Sequence, residues 1–63
     1  SKVQIEEGKI IEGKITKITE KFVFLLVEGL KSEPVLDINE LKSMGLTDKI
    51  KLGETIAVLL EKI

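Results

Sequence analysis

The stretch FVFLLVEGLKSEPVLDINEL, residues 22–41, opens with six consecutive apolar residues and contains both aromatic residues of the chain. A half-buried strand alternates apolar and polar residues, because successive side chains point to opposite faces of the sheet. Here both faces of the predicted strand are apolar. The alternation assigns one set of side chains to a core: Val23, Leu25 and Val27. The other set faces a ligand or a protein partner: Phe22, Phe24 and Leu26.

Length and composition limit the classes of function. The chain has 63 residues with 10 Lys, 11 acidic residues, a net charge of -1, and no Arg, His or Cys. A chain of this length forms one domain, residues 1–63. Without His or Cys it lacks the usual general base, thiol nucleophile and zinc ligands. We therefore predict no enzymatic activity, no metal and no other cofactor, and the balanced charge argues against strong duplex-DNA binding.

The hydropathy pattern gives an expectation for location. The longest apolar run is too short to span a bilayer, and no charged segment with a cleavage site opens the sequence. We therefore expect a soluble, cytoplasmic protein without a membrane partner.

The segment before residue 22 predicts a long first strand over residues 7–19, because it is dense in β-branched residues. Its apolar alternation shifts phase after Ile15, which a bulge near Thr16 or Lys17 would explain. Gly13 within the strand predicts a sharp bend or a close backbone approach. A long, bent first strand is typical of a small closed barrel, where one strand serves two sheets.

Three further strands are predicted, over residues 22–27, 34–38 and 55–63. A single helical turn with Asn39 as its N-cap and Gly45 at its end separates the last two. This order predicts an all-β fold of the oligonucleotide-binding (OB) class, a Greek-key barrel with a short helical turn between strands 3 and 4. The fifth strand of such a barrel is absent or supplied otherwise.

Four segments in sequence order resemble the S1-type RNA-binding domain, an OB-fold repeat: GKI at 13–15, FVFL at 22–25, PVLDINEL at 34–41 and LGETIAV at 52–58. The segment GLKSE, residues 29–33, is similar to one in the early repeats of bacterial S1 ribosomal proteins. The resemblance implies RNA binding within the translation machinery. For the early repeats it implies docking on the small ribosomal subunit, and it suggests one repeat of a longer chain.

The resemblance also implies a fifth strand that this sequence does not supply. Residues 2–7 or another chain are the candidates to fill the gap. Unpaired sheet edges favour association, so we expect self-association through the open edges.

The resemblance further implies a binding face on strands 2 and 3. Phe24 matches an aromatic position of the family, whereas Lys21 stands at an earlier aromatic position and Asp37 at a His position. Bases stack on aromatic faces while Lys tracks the phosphate backbone, so these two changes predict weak binding of single-stranded RNA. The candidate RNA- or partner-binding residues are Phe22, Phe24, Leu26, Lys21, Lys31, Asp37, Lys14 and Lys17.

Two functions remain open from the sequence. The first is weak contact with single-stranded RNA. The second is a protein-docking OB module that anchors a larger RNA-binding protein to ribosomal proteins of the small subunit. The apolar stripe of Phe22, Phe24 and Leu26 favours this second function. The lysines also have a simpler interpretation as a solvated surface, because they are interleaved with glutamates.

Overall fold

The computed structural model of the protein describes residues 10–59. The elements in chain order are β1 (Ile10–Ile18), β2 (Phe22–Leu26), β3 (Val35–Asp37), α1 (Ile38–Ser43), a 3₁₀ turn (Thr47–Lys49) and β4 (Thr55–Leu59). The strands form one antiparallel sheet in the order β3-β2-β1-β4, curled into a half-barrel. This architecture confirms the predicted all-β fold of the OB class, with a short helix between the third and fourth strands.

Strand β1 joins the two halves of the sheet. Its first five residues pair with β4, and its later residues pair with β2. Ile15 lies opposite Leu25 and Lys17 lies opposite Phe24, so that Thr16 is an extra residue on β1. The predicted bulge is confirmed, and it bends the strand at the point where pairing passes from one neighbour to the other.

Gly13 lies on the inner face of β1, where its backbone is packed against β2. A Cβ atom at this position would lie 3.0 Å from the Leu25 Cβ and 3.1 Å from the Val27 Cγ2. The predicted close approach at Gly13 is therefore confirmed. Its cause is packing, since the positive-φ residues of the described chain lie elsewhere, at Gly29, Gly45 and Gly53.

The core lies on the inner face of the curled sheet and is closed on one side by α1. Its buried members come from three strands and the helix: Ile15, Val23, Leu25, Leu41, Ile56 and Val58. Val27 is partly buried and packs against this cluster. The predicted assignment of Val23, Leu25 and Val27 to the core is confirmed.

The start of α1 differs from the prediction. Asp37, not Asn39, is the N-cap: it has extended backbone angles, and its Oδ1 accepts a hydrogen bond of 2.7 Å from the Asn39 N–H. The third strand consequently ends at Asp37, and Ile38 belongs to the helix. An acidic side chain two residues before a free helical N–H is a strong N-cap. The prediction of Asn39 did not take this into account.

The other boundaries need smaller corrections. Strand β2 ends at Leu26, one residue before the predicted end, and β3 begins one residue after Pro34. The 3₁₀ turn was not predicted. The predicted strand ends at residues 7–9 and 60–63, and the proposed gap-filling segment 2–7, lie outside the described residues.

Candidate nucleic-acid interface

The outer face of β2 is the centre of the candidate interface. Phe22 and Leu26 are exposed, at 42% and 56%, and Phe24 between them is half-buried. All three project away from the core because the buried residues of β2 have the opposite parity. The predicted outward stripe of Phe22, Phe24 and Leu26 is therefore present in the structure.

Cross-strand pairing brings two predicted lysines to this stripe. Lys17 is the partner of Phe24, and Lys14 is the partner of Leu26. Directly paired residues of an antiparallel sheet share a face. The bulge at Thr16 is what brings Lys17 to the outer face beside Phe24.

Phe24 has neighbours on both adjacent strands, β1 and β3. The Lys17 Nζ lies 5.1 Å from the centroid of its ring, a cation–π arrangement. The Thr16 hydroxyl lies 3.4 Å from the Phe24 carbonyl oxygen and 3.3 Å from the Glu33 Oε2. On the far side Val35 of β3 is the cross-strand partner of Phe24 and is 48% exposed. The row Val35–Phe24–Lys17 thus presents apolar surface, an aromatic ring and an ammonium group side by side.

Asp37 and Lys21 lie at the Phe22 end of the stripe. Asp37 is the cross-strand partner of Phe22, so its carboxylate lies on the outer face while it caps α1. The Lys21 carbonyl oxygen accepts a hydrogen bond of 2.9 Å from the Ile38 N–H, which holds the turn after Thr19 against the start of the helix. A shallow depression is lined by both side chains together with Asn39. Positive and negative groups therefore meet at this end.

The opposite end of the stripe also carries mixed charge. Lys14 and Leu26 line a shallow depression together with Glu12 and Glu28. Lys31 lies beyond this end, exposed in the connection between β2 and β3. The structure thus brings Lys14, Lys17 and Lys21 to the edges of the stripe, whereas Lys31 is in the loop and outside the rows of paired residues.

A comparison with known proteins gives a relative for almost the whole chain. Over 59 residues, 94% of the chain, it is 34% identical to the small ribosomal subunit protein bS1 of Rhodopseudomonas palustris. That similarity and the curled OB-type sheet agree with the motifs of the sequence. The chain is an S1-type domain.

The S1-type domain spans about 10% of the length of that bS1 protein. No family model matches the chain. No solved structure gives a significant match either.

Sequence reasoning missed four members of the outer face of this S1-type domain. Val35 was not selected, although its parity relative to Leu36, which packs against the core, indicates it. Thr16 was treated only as a bulge position, and its hydroxyl is placed by the bulge beside the Phe24 carbonyl. Leu59 and Ile10, paired at the far end of β1 and β4, extend exposed apolar surface along the same face.

The side chains of this face are suited to binding. Aromatic rings, exposed aliphatic side chains and ammonium groups suit stacking, apolar contact and attraction of phosphate. Within residues 10–59, no three His, Cys, Asp or Glu side chains lie together as metal ligands would. No helix in the same range is long and apolar enough to cross a membrane.

Proposed function

We propose that this S1-type domain contacts single-stranded RNA weakly, through strands β2 and β3, as part of the translation machinery. The observation that supports this most directly is the row Val35–Phe24–Lys17, where a half-buried aromatic ring, an apolar neighbour and an ammonium group adjoin. Its similarity to a small-subunit ribosomal protein supports the setting. A ribosomal setting also implies a cytoplasmic location and a binding role without catalysis.

In this proposal the aromatic residues stack on bases and the lysines attract the phosphate backbone. Phe24 is the main stacking residue, with Phe22 beside it, and the apolar neighbour Leu26 completes the platform. The backbone contacts are assigned to Lys14, Lys17, Lys21 and Lys31. Base–aromatic stacking contributes about 1–3 kcal/mol per base, so two rings support only modest affinity.

Electrostatics explains why the proposed affinity is low. The Asp37 carboxylate lies opposite Phe22, and Glu12 and Glu28 border the Leu26 end. Carboxylates near a phosphate backbone oppose its approach. In addition, the Lys17 ammonium already occupies a position over the Phe24 ring. A stacking base must displace it, which costs part of the stacking energy.

The test is an NMR titration of ¹⁵N-labelled chain with a short single-stranded RNA at low salt. We expect shifts on Phe22, Phe24 and Lys17, and affinity that falls steeply as salt is added. Phe24→Leu keeps apolar bulk but removes the ring, and should weaken binding about tenfold. Leu52→Ala is the matched control, because Leu52 is 67% exposed and lies in the turn before β4. Absence of shifts at near-millimolar RNA contradicts the RNA proposal.

The second candidate is the protein-docking role, in which the same face anchors a larger RNA-binding protein to ribosomal proteins of the small subunit. A specific observation favours it: Phe22, Leu26 and Val35 leave adjoining apolar surface exposed in one stripe. Exposed apolar patches of this kind mark protein contact sites. Association of copies through the open sheet edges belongs to the same proposal.

Phe24→Leu also separates the two candidates. An apolar protein contact tolerates the exchange of one large apolar side chain for another, whereas base stacking does not. Leu26→Lys acts in the opposite sense: it should disrupt an apolar contact with small-subunit proteins and favour RNA slightly. Binding to isolated small subunits that persists in Phe24→Leu and is lost in Leu26→Lys supports docking. The reverse pattern supports RNA contact.

A further inference from the structure

A hydrogen bond between two side chains crosses the outer face of β2. Thr16 lies on β1 and Glu33 lies shortly before β3, and these strands flank β2 on opposite sides. The Thr16 hydroxyl lies 3.4 Å from the Phe24 carbonyl oxygen and donates to the Glu33 Oε2 at 3.3 Å. Strands on either side of a common neighbour are about 10 Å apart, so the two side chains meet above β2. The Thr16–Glu33 bridge therefore brings a carboxylate into the apolar stripe.

The register locates this bridge in the part of the stripe between Phe24 and Leu26. The pairing of β2 with β3 continues beyond the end of β3, because the Pro34 carbonyl accepts a hydrogen bond of 3.0 Å from the Leu25 N–H. Continued by one more residue, the same register sets Glu33 opposite Leu26 on the outer face. The carboxylate is thus a neighbour of the ring that is proposed to stack on bases.

A carboxylate at this position accepts hydrogen bonds and cannot donate them. Its two oxygens provide about four acceptor sites, and the Thr16 hydroxyl uses one of them. Within residues 10–59 the only ion pair joins Lys49 and Glu54, so no lysine of that range neutralises Glu33. A group that binds here must bring N–H donors, whereas a phosphate group is repelled.

We propose that Glu33 binds the pairing edge of the base stacked on Phe24 and selects guanine, with Thr16 as the residue that positions its carboxylate. The inference rests on the RNA contact proposed above. Guanine has two neighbouring donors on its pairing edge, N1–H and the N2 amino group, which match the two oxygens of a carboxylate. Cytosine and adenine present one amino group beside a ring-nitrogen acceptor. Uracil presents one N–H between two carbonyl oxygens, which a carboxylate repels.

The lysines of β1 complete this arrangement. Lys17 is paired with Phe24 and Lys14 with Leu26, so their positive charges lie on the β1 side of the stripe. Glu33 enters from the β3 side. An RNA strand with its phosphates along the two lysines consequently directs its bases toward the carboxylate.

The test measures binding of four RNA heptamers to the full 63-residue chain by NMR titration at low salt. Each heptamer is uridine except at its central base, which is guanine, adenine, cytosine or uracil. We expect the guanine heptamer to bind about fivefold or more tightly than the uracil heptamer, the discrimination typical of one bidentate base contact.

Glu33→Gln tests the carboxylate at nearly constant side-chain size. An amide presents one acceptor and one donor group, a pattern that suits adenine. The guanine preference should therefore fall to about twofold or less, while the adenine heptamer binds more tightly than before. Glu12→Gln is the matched control: Glu12 is exposed at the Leu26 end of the stripe. The control removes the same charge and should strengthen all four heptamers alike.

Thr16→Val tests the positioning role, because valine keeps the β-branched shape and lacks the hydroxyl. It should lower the guanine preference about twofold or more and leave the affinity for the uracil heptamer unchanged. A merely structural role of Thr16 would change all four affinities together.

Three results would overturn the inference. Equal binding of the four heptamers by the parent chain contradicts base selection and leaves the RNA contact itself intact. Equal strengthening of all four by Glu33→Gln assigns Glu33 to repulsion of phosphate alone. Absence of shifts with every heptamer at near-millimolar concentration contradicts the RNA contact, and base selection with it.

Discussion

The two faces of β2 are both apolar, but they differ in how far their side chains are buried. On the inner face Val23 and Leu25 have no measurable exposure, and they belong to a core cluster with residues of β1, β4 and α1. On the outer face Phe22 and Leu26 remain 42% and 56% exposed. Five neighbouring residues of one strand thus provide an internal comparison between side chains that the fold requires and side chains that it leaves available.

The difference shows where function is to be sought in this domain. The core explains why the inner positions are apolar, because burial of such side chains drives folding. No such explanation covers Phe22 or Leu26. An exposed aromatic ring costs the domain solubility and gives the fold little, so a contact with another molecule is the better account of it.

Leu25→Ala against Leu26→Ala tests the comparison with the largest expected effect. Truncation at Leu25 should cost about 2–5 kcal/mol, because it removes a fully buried side chain and leaves a cavity. A domain of this size has roughly 3–5 kcal/mol in total, so we expect the variant to be largely unfolded at 25 °C. Leu26→Ala should stay within about 0.5 kcal/mol of the parent. Chemical denaturation followed by circular dichroism measures both.

A similar loss of stability in both variants would contradict the difference between the two faces. It would mean that Leu26 is covered in solution, either by another part of the chain or by a second copy. A concentration series on Leu26→Ala distinguishes these cases, because only contact between copies depends on concentration.

Gly13→Ala sharpens the comparison on the inner face. The new methyl group would lie 3.0 Å from the Leu25 Cβ, so that the fully buried Leu25 would have to shift. Overpacking of this kind outweighs the entropic advantage of Ala over Gly, so we expect a net loss of about 1–2 kcal/mol. Lys14→Ala on the exposed face of the same strand is the control. An unchanged or raised midpoint for Gly13→Ala would show that β1 and β2 can separate there without cost.

Features that depend on local periodicity were predicted correctly from the sequence. The alternation in residues 22–27 fixed which side chains enter the core, and the phase change after Ile15 predicted the bulge. Gly13 was recognised because glycine inside a β-branched strand usually marks close packing. For the core and the bulge, the strand period of two determines the side-chain direction before tertiary contacts act.

Features that depend on contacts between elements were not predicted. Asn39 was predicted as the N-cap in place of Asp37, because the boundary between β3 and α1 depends on the pairing of Asp37 with Phe22 as well as on cap preference. The placement of Lys17 over the Phe24 ring follows from the exact register after the bulge. Val35 escaped notice because a three-residue strand has too few positions for its period to be read. The roles of these residues in binding remain proposals.

Substitutions of Asp37 should have the smallest effects. This residue caps α1 and also lies on the outer face of the sheet. Its carboxylate caps α1 through the Asn39 N–H and also lies opposite Phe22. Asp37→Ala should lower stability by about 1 kcal/mol, whereas Asp37→Asn should be nearly neutral, since Asn caps as well as Asp. Thermal unfolding of both variants, compared with the parent, measures the contribution of the N-cap to stability.

The pair also separates the cap from the charge in the proposed RNA contact. Asp37→Asn removes a negative charge beside Phe22 without removing the cap, so single-stranded RNA should bind about two- to fivefold more tightly at low salt. The gain should disappear at high salt, where screening already hides the carboxylate. If Asp37→Asn leaves RNA affinity unchanged at low salt while Phe24→Leu lowers it, the contact stops short of the Phe22 end. The outer face would then divide, with a binding half around Phe24 and a structural half around Asp37.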